Sequence, residues 1–415
     1  MDVNPLVLAN LGASYRRLNK HGEGIKVLEA ALDRQPNYEP ALVNLGSMFV
    51  NEGCPEKGIP HLERAVELGR AKGRTERGAE WNLGLLYLES GRFAEGFDLY
   101  RGGLGKERLM RTYGKESKGV KEPEVLQPDS PTEGKTLVVF GEQGIGDELM
   151  FGTCMAEARA EFGEVIFECH PRLERLHRDA HPGMRIYPTR KDEHIAWPIT
   201  DNIQADYKCP IGDLAARYRR DLASFETAWR ERGPTYRADE AETREYREHL
   251  EAIAQGRPIV GLATRGGVMQ TARTYRTMRA PEVDFLMENT DALFVALDYD
   301  NMVDLNIYVA EKYGDRYRWW PSVAQHYEYD HLAALISACD LTVTVCQSAA
   351  HLSAAMGKPT RVLTPKRCAW RYANVGDPER WYFYPDPAIK LYRQDDPNSW
   401  KGPLERVVSD IRGLR

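Results

Sequence analysis

The chain lacks the features that mark membrane and secreted proteins, and it has no net positive charge. Its 415 residues contain no apolar run near the ~18 residues of a membrane span, and its start, MDVNPLVLAN, has no basic signal-peptide segment. Seven scattered cysteines never form a CxxC pair, which argues against a disulfide framework and a zinc site. The formal net charge of −6 gives no overall attraction to nucleic acid. We therefore expect a cytoplasmic protein with reduced thiols.

Two common phosphate-binding motifs are also missing. The turn GEQGIGD (141–147) has the spacing G-x-x-G-x-G instead of the dinucleotide G-x-G-x-x-G, and GKT (134–136) precedes a predicted strand, whereas a Walker loop follows one. Glu168 ends the next predicted strand and keeps a nicotinamide-dependent dehydrogenase open as an alternative. DYD at 298–300 is similar to a metal-binding DxD, but we expect ordinary loop residues there and no metal site.

A repeat occupies the first quarter of the chain. NLGASY (10–15) recurs as NLGSMF (44–49) after 34 residues and as NLGLLY (82–87) after 38. After each glycine an aromatic residue follows at the third position and another glycine at the twelfth. Small residues let paired helices approach, and the aromatic fills the gap to the next helix. The pattern resembles three tetratricopeptide repeats and predicts a helical domain at 1–105 that recruits a protein partner or an acceptor.

Beyond the repeats, a basic, proline-bearing linker is predicted at 106–134, and apolar runs then alternate with helical segments. Such alternation predicts parallel sheets covered on both faces by helices. We place one α/β domain at 135–235, a charged helical connector at 236–257 and a second α/β domain at 258–415. The predicted strands are 136–140, 165–169, 258–264, 292–297, 341–345 and 360–365, and the predicted helices are 148–162, 280–288, 329–338 and 349–356.

Four blocks occur in an order that resembles a known protein family. They are GEQGIGDELMF (141–151), ADYKCPIGDL (205–214), DHLAALISACDLTVTVCQSAAHLSAAMGKPTRVLTP (330–365) and WYFYPDPAIKLYRQDDPNSW (381–400). Together with the repeats they resemble tetratricopeptide proteins that end in a glycosyltransferase module related to family nine, the heptosyltransferases. The resemblance implies a GT-B fold of two Rossmann-like domains, with the acceptor on the first and the nucleotide-sugar donor on the second. It also implies inverting transfer without a metal or cofactor.

The resemblance gives Asp147 the role of catalytic base. A sugar hydroxyl is a poor nucleophile, and a carboxylate within about 2.6–3.2 Å can accept its proton as the new bond forms. On this interpretation Gly144 and Gly146 allow close approach of the acceptor, and Glu148 contacts it, with Glu142 as a further carboxylate. The alternative is that Asp147 only caps the helix predicted to follow it.

Two further segments are predicted to hold the donor. ATRGGVMQTARTYRTMR (263–279) offers arginines for the diphosphate, with Arg276 the first choice and Arg265 the second. CQSAAHLSAAMG (346–357) leads from a strand into a helix whose amides and positive dipole end favour phosphate. The donor residues predicted there are Gln347, Ser348, Ala349 and His351, with Ser348 also expected to cap the helix. A buried structural histidine is the alternative for His351.

The predicted function is transfer of a sugar from a nucleotide-sugar to an acceptor hydroxyl. The acceptor is open among a saccharide, a protein and a hydroxymethylated base in viral DNA, where the basic stretches 70–77 and 106–121 would contact phosphates. The resembling proteins have Asp-Thr or Asp-Ser where this chain has Cys346-Gln347, which leaves the donor sugar undefined. That missing acid favours the alternative of a non-catalytic repeat scaffold with a degenerate transferase fold.

Overall fold

The chain folds as two compact units. Unit 1 contains Met1–Lys106, Ala215–Leu222 and Arg367–Gly376, and unit 2 contains Glu107–Leu214, Ala223–Lys366 and Asp377–Arg415. The domain boundaries drawn from the sequence stay predictions. The computed structural model describes residues 4–18, 20–52, 54–75, 77–101, 121–142, 144–189, 201–267, 276–298, 302–320, 329–397 and 399–414.

Unit 1 is built on three helix pairs in its described residues. The helices are α1 (Pro5–Arg17), α2 (His21–Arg34), α3 (Glu39–Glu52), α4 (Pro55–Ala71), α5 (Arg77–Glu89) and α6 (Phe93–Tyr100). Each pair is held close by the glycines of the repeat. A Cβ added at Gly84 in α5 would stand 3.0 Å from the carbonyl oxygen of Gly96 in α6. The packing therefore agrees with the prediction that small residues let the paired helices approach each other.

The two short segments of unit 1 pack against its last helix pair. The ring of Trp370 lies 6.0 Å from that of Phe97 and 5.7 Å from that of Tyr100. Arg220 donates to both carboxylate oxygens of Asp98, at 2.6 and 3.0 Å. Since this ion pair is exposed, it adds little stability, and the aromatic packing dominates.

Unit 2 begins with a parallel sheet. Its described strands are β1 (Glu124–Val125), β2 (Thr136–Phe140), β3 (Glu164–Cys169), β4 (Arg185–Pro188) and β5 (Tyr207–Pro210), in the spatial order β1-β5-β2-β3-β4. β2 and β3 lie where apolar runs predict strands. β1 lies inside the predicted linker. It forms a strand because the amide nitrogens of Glu124 and Leu126 bond to the carbonyls of Asp206 and Lys208.

The prediction of one continuous helix at 148–162 is wrong. The structure has two helices there, Ile145–Gly152 and Met155–Glu161. Gly152 and Thr153 favour a break, and the hydroxyl of Thr153 donates to the carbonyl of Met150 at 2.7 Å. The other described helices of this half and of the connector are Glu174–Ala180, Leu214–Tyr218, Leu222–Arg232 and Glu240–Ala254, with 3₁₀ turns at Pro171–Leu173 and Ile211–Asp213.

A second parallel sheet follows in unit 2. Its described strands are β6 (Ile259–Ala263), β7 (Leu293–Ala296), β8 (Tyr317–Arg318), β9 (Leu341–Val345), β10 (Thr360–Thr364) and β11 (Ile389–Arg393), in the spatial order β11-β10-β9-β6-β7-β8. The described helices are Ala280–Asn289, Val303–Tyr313, Tyr329–Ser337, Ser348–Ala355 and Lys401–Arg412, with 3₁₀ turns at Gly314–Arg316 and Trp370–Tyr372. β6, β7 and β9 are buried along their whole length, as expected for strands covered on both faces.

The fold-class prediction is confirmed. Helical repeats come first, and two Rossmann-like parallel sheets with flanking helices follow. In the part of the chain that the structure describes, no helix combines the length and the apolar character needed to cross a bilayer.

Candidate active site

The strand order of each sheet defines where a ligand would bind. β2 lies between β3 and β5, and β6 lies between β7 and β9. In each sheet the strands that follow along the chain are therefore added first on one side of this strand and then on its other side. Ligands of open α/β sheets bind beyond the carboxyl ends of the strands at such a reversal. The segments that follow β2, β6 and β9 are the three that the sequence predicts as the site.

Asp147 lies in the first turn of the helix Ile145–Gly152. Gly144 is the N-cap of that helix, so the interpretation of Asp147 as its cap is wrong. A Cβ added at Gly144 would stand 2.9 Å from Oδ2 of Asp147, which shows that the carboxylate folds back over the helix start. The helix dipole favours a negative charge there. Asp147 is half-buried and so keeps access to solvent.

The turn that carries Asp147 meets the predicted donor segment at Gly146. A Cβ at Gly146 would lie 3.1 Å from Cδ2 of His351 and 3.5 Å from Cα of Ser348. The first turns of two helices, one from each half of unit 2, therefore touch at a residue without a side chain. This contact joins the predicted acceptor turn and the predicted donor loop.

His351 is buried among aromatic side chains. It is 2% exposed, its Nδ1 lies 3.2 Å from the hydroxyl of Tyr384, and its ring lies 4.9 Å from that of Trp381. Burial raises the pKa of Tyr384 well above its usual range, and the nearby charge of Asp147 raises it further. Tyr384 thus stays a neutral hydroxyl that lies near both Asp147 and His351. The alternative of a structural histidine accounts for the burial of His351.

The helix Ser348–Ala355 begins at the end of β9. Its N-cap is Gln347, so the expectation that Ser348 caps it is wrong. Ser348 is the first helical residue, and its Oγ lies 2.6 Å from the hydroxyl of Tyr329. Ala349, also predicted to contact the donor, is buried. The amide of Gln347 is 6% exposed and has no hydrogen-bond partner of normal geometry, although it lies near enough to Asp298 to help lower that carboxyl's pKa.

Arg276 reaches the same helix start. A Cβ at Gly266 would stand 2.5 Å from Cβ of Arg276, and Nη1 of Arg276 donates to the carbonyl of Cys346 at 3.3 Å. Arg265 is half-buried, and its backbone nitrogen donates to Asp298 at 3.0 Å. The structure brings Arg276 to the donor segment and Arg265 to the adjoining loop. Arg273, a further arginine of the segment 263–279, lies outside the described residues.

Asp298 fixes the loop that follows β6. It is buried and accepts hydrogen bonds from the backbone nitrogen of Thr264 at 2.9 Å and from its hydroxyl at 2.6 Å. Burial raises the pKa of Asp298, and these bonds oppose the rise. The carboxylate of Asp298 is thus occupied by the loop, and residues 299 and 300 lie outside the described residues. Among the residues described, no group of three or more His, Cys, Asp or Glu could hold a metal ion.

Glu148 is not placed to contact an acceptor. It is fully buried, its Oε1 accepts a hydrogen bond from the backbone nitrogen of His170 at 2.8 Å, and Nε2 of His177 lies 3.5 Å from the same oxygen. A Cβ at Gly141 would overlap Oε2 of Glu148. The prediction for Glu148 is therefore not supported, because the side chain points into the interior between the ends of β2 and β3. Glu142 is buried as well.

Sequence reasoning missed three side chains near the site. Tyr384 lies beside Asp147 and His351, Tyr329 bonds to Ser348, and the guanidinium of Arg172 lies 4.9 Å from the centre of the Tyr329 ring. The only sequence signal was the aromatic run WYFY (381–384), which has no residue pattern typical of catalysis. Tyr329 and Arg172 carry no motif.

The chain is similar to several known proteins. The tetratricopeptide repeat family model matches residues 7–38. Protein FlbA of Caulobacter vibrioides is 23% identical over 446 residues, covering 97% of this chain and 72% of that protein. The family 9 glycosyl transferase of Veillonella parvula is 11% identical with a TM-score of 0.48, over 70% of this chain and 98% of its own. The E. coli ADP-heptose heptosyltransferase II is 13% identical with a TM-score of 0.46, over 68% and 98%.

The predicted combination is confirmed as an architecture. Tetratricopeptide repeats precede two Rossmann-like halves, each built on a parallel sheet. The helix pairs of the repeats and the strand orders of the two sheets show this architecture.

Proposed function

We propose that the chain is an inverting glycosyltransferase that moves a sugar from a nucleotide-sugar to an acceptor hydroxyl without a metal ion. The observation that carries the proposal is the meeting of two helix starts, at Gly146 on one side and at Ser348 and His351 on the other. Both starts follow strands at the reversal points of their sheets, where ligands of such folds bind.

Asp147 serves as the base in this reaction. Its carboxylate accepts the proton of the acceptor hydroxyl while that oxygen bonds to the anomeric carbon from the face opposite the nucleotide. The bond between the anomeric carbon and the diphosphate oxygen breaks, and its electron pair leaves with the nucleoside diphosphate. The anomeric centre is inverted, and no covalent enzyme intermediate forms. In this proposal the turn carries Asp147, and no dinucleotide motif, because it faces a hydroxyl and not a phosphate.

The leaving diphosphate is stabilised by charge from the second half. Arg276 reaches the end of β9, and the amino-terminal end of the helix Ser348–Ala355, with its amides and the positive end of its dipole, lies at the same place. Guanidinium groups bind phosphate oxygens through paired hydrogen bonds and stabilise the charge that grows as the bond breaks. Arg265 extends this positive surface from the loop after β6.

The acceptor is proposed to be a saccharide or a protein side chain. The alternative of a DNA base loses support in the first basic stretch, because Arg70 pairs with Glu80 at 3.0 Å and both Lys72 and Arg74 pair with Glu39. Most of the second stretch, 106–121, lies outside the described residues. The role of the repeats in recruiting a partner stays a prediction.

Replacement of Asp147 by asparagine tests the proposed function. We expect Asp147→Asn to lower kcat for transfer, or for hydrolysis of the nucleotide-sugar, by about 10²- to 10⁴-fold, because the amide cannot accept the proton. Binding of the nucleotide-sugar should be retained. Release of nucleoside diphosphate measures the reaction, and calorimetric titration measures binding. Asp304→Asn is the matched control, since Asp304 is an exposed acid in the first turn of the helix Val303–Tyr313.

Two results would contradict the proposal in different ways. Equal turnover in Asp147→Asn and wild type would remove Asp147 as the base. Binding of a nucleotide-sugar with no turnover in the wild type against saccharide, protein and water would instead support the non-catalytic scaffold, the class that the missing acid at Cys346 favours.

A further inference from the structure

Tyr329 joins the two halves of unit 2 beside the donor segment. It is the first residue of the helix Tyr329–Ser337 and is 3% exposed. Its hydroxyl lies 2.6 Å from Oγ of Ser348 in the second half. The guanidinium carbon of Arg172, which lies in the turn after β3 in the first half, stands 4.9 Å from the centre of its ring.

In the bond between Tyr329 and Ser348 either hydroxyl can be the donor. A hydroxyl donates one hydrogen bond and accepts two. When Tyr329 donates to Oγ of Ser348, the proton of Ser348 is directed away from Tyr329 and toward another acceptor. Ser348 is half-buried at the first position of its helix, where the backbone amides also lack intrahelical partners. An anionic oxygen at this helix start would accept from both the amides and the serine.

A second observation points to a ligand at this helix start. Gln347, the N-cap, is 6% exposed, and its amide lies near enough to Asp298 to help lower the pKa of that carboxyl. Neither polar atom of the amide has a hydrogen-bond partner of normal geometry. Buried polar atoms are satisfied in most folded proteins, so this incompletely bonded amide indicates a polar group that completes the site when it binds. The amide of Gln347 and the hydroxyl of Ser348 lie on consecutive residues.

Arg172 fixes the ring that orients Ser348. A guanidinium over an aromatic face is attracted by the negative charge of the ring face. The contact holds the plane of the phenol and brings a positive charge from the first half next to the donor segment. The arrangement Arg172–Tyr329–Ser348 therefore links the first half to the proposed phosphate site of the second.

We propose that Tyr329 is a positioning residue for the donor diphosphate. It holds the hydroxyl of Ser348 so that this hydroxyl donates to a diphosphate oxygen at the start of the helix Ser348–Ala355, and Arg172 holds the Tyr329 ring. The inference rests on the proposed function, because the diphosphate is that of the nucleotide-sugar. Tyr329 lies outside the three segments that the sequence predicts as the site.

Removal of the Tyr329 hydroxyl tests the inference. Tyr329→Phe keeps the ring and its contact with Arg172 but releases Ser348. In titrations with ADP, GDP, UDP, CDP and dTDP, we expect the nucleoside diphosphate that binds wild type to bind Tyr329→Phe about ten- to a hundredfold more weakly, the effect of losing one hydrogen bond to a charged group. KM for the matching nucleotide-sugar should rise by a similar factor while kcat stays within about twofold.

A double-mutant cycle separates positioning from a structural role. Ser348→Ala should weaken binding by the same factor as Tyr329→Phe, and the double variant should be no weaker than either single variant, because both act through one hydroxyl. Losses that multiply in the double variant would overturn the inference. Tyr308→Phe is the matched control, since Tyr308 is an exposed tyrosine whose hydroxyl bonds to Asp284 at 2.7 Å, and we expect it to bind like wild type.

The outcomes distinguish this inference from the proposed function. If wild type binds none of the nucleoside diphosphates or their sugars, the proposed function fails and the inference fails with it. If wild type binds one of them and Tyr329→Phe binds it equally well, only the inference is overturned. Should Tyr329→Phe not fold, Ser348→Ala carries the test alone, and unchanged affinity in that variant overturns the inference.

Discussion

Burial sets the protonation state of single residues around the site. Tyr384 is kept neutral by burial and by the charge of Asp147. On the far side of Glu148, His181 is 3% exposed, and burial lowers its pKa to about 3, with the neighbouring His177 and Arg159 adding to the effect. A group held neutral in the folded state but free to titrate in the unfolded chain makes stability depend on pH.

The stability of the chain should fall in acid because of His181. The folded-state pKa is depressed below the ordinary 6.5, so the unfolded state takes up the proton first. The contribution is fully present above pH 6.5 and is lost as pH falls toward 3. The loss is at most about 1.4 kcal/mol per pH unit, or about 2 kcal/mol between pH 6.5 and 5. Urea unfolding at several pH values measures it.

A neutral replacement provides the control for this pH dependence. His181→Gln should flatten the fall in unfolding free energy between pH 6.5 and 5, whatever its effect at pH 7. The matched change His249→Gln removes an exposed histidine and should leave the slope unchanged. An unchanged slope in His181→Gln would show that the acid sensitivity arises elsewhere.

At the scale of helices and strands, close approach in the repeats depends on particular glycines. A Cβ at Gly84 would stand 3.0 Å from the carbonyl oxygen of Gly96 and 3.0 Å from Cβ of Leu99 in the next helix, whereas a Cβ at Gly78 in the same helix would meet nothing within 4 Å. Both glycines lie in α5, but only Gly84 is in close contact with the next helix. Substitutions at these two positions therefore separate the effect of packing from the effect of helix propensity.

Alanine at these two glycines should change stability in opposite directions. Gly84→Ala forces α5 and α6 apart and should cost about 1–3 kcal/mol of unfolding free energy. Gly78→Ala adds helix propensity without a clash and should stabilise by up to about 1 kcal/mol. Denaturant unfolding followed by circular dichroism measures both variants. Equal effects at the two positions would contradict the packing account.

The sequence predicts elements well where the local pattern and the burial agree. β6 and β9 are runs of apolar and β-branched residues, and both were predicted as buried strands. β1 is only two residues long, and β5 contains Lys208 and ends at Pro210, so neither has a strand pattern. Both become strands because they pair with neighbours. The start of the Asp147 helix was placed too late because glycines flank Ile145.

The residues of the candidate site also differ in whether the sequence could predict them. Asp147 and Ser348 could be predicted together, since both follow strands at the reversal points of their sheets. Tyr329, Tyr384 and Arg172 could not be predicted, because long-range folding and not local sequence brings them there. The sequence also offered no sign that Glu148 turns inward, since adjacent residues of one helical turn point in different directions.

At the scale of the whole molecule, the two units do not follow the linear order of the chain. Unit 1 takes in Ala215–Leu222 and Arg367–Gly376, two segments that are distant in sequence from the repeats. Trp370 is 6% exposed and packs on Phe97 and Tyr100. The repeats and these segments should therefore respond together to a change at Trp370.

Loss of Trp370 should loosen unit 1 selectively. We expect Trp370→Ala to lower the stability of unit 1 by about 3 kcal/mol, because a large buried ring is replaced by a cavity. In native-state hydrogen exchange, amides of α5 and α6 should exchange faster, while those of β6 and β9 keep their protection. Trp320→Ala in unit 2 is the control and should leave α5 and α6 unchanged. A uniform increase across both units would contradict their independence.

The central claim is that the turns after β2 and β9 form one nucleotide-sugar site. Hydrogen exchange of Asp147→Asn with and without the bound nucleotide-sugar tests it most directly, since this variant should bind without turnover. The account predicts slower exchange in both segments, 144–148 and 346–351, upon binding. Protection confined to one of the two segments, or to neither, would contradict it.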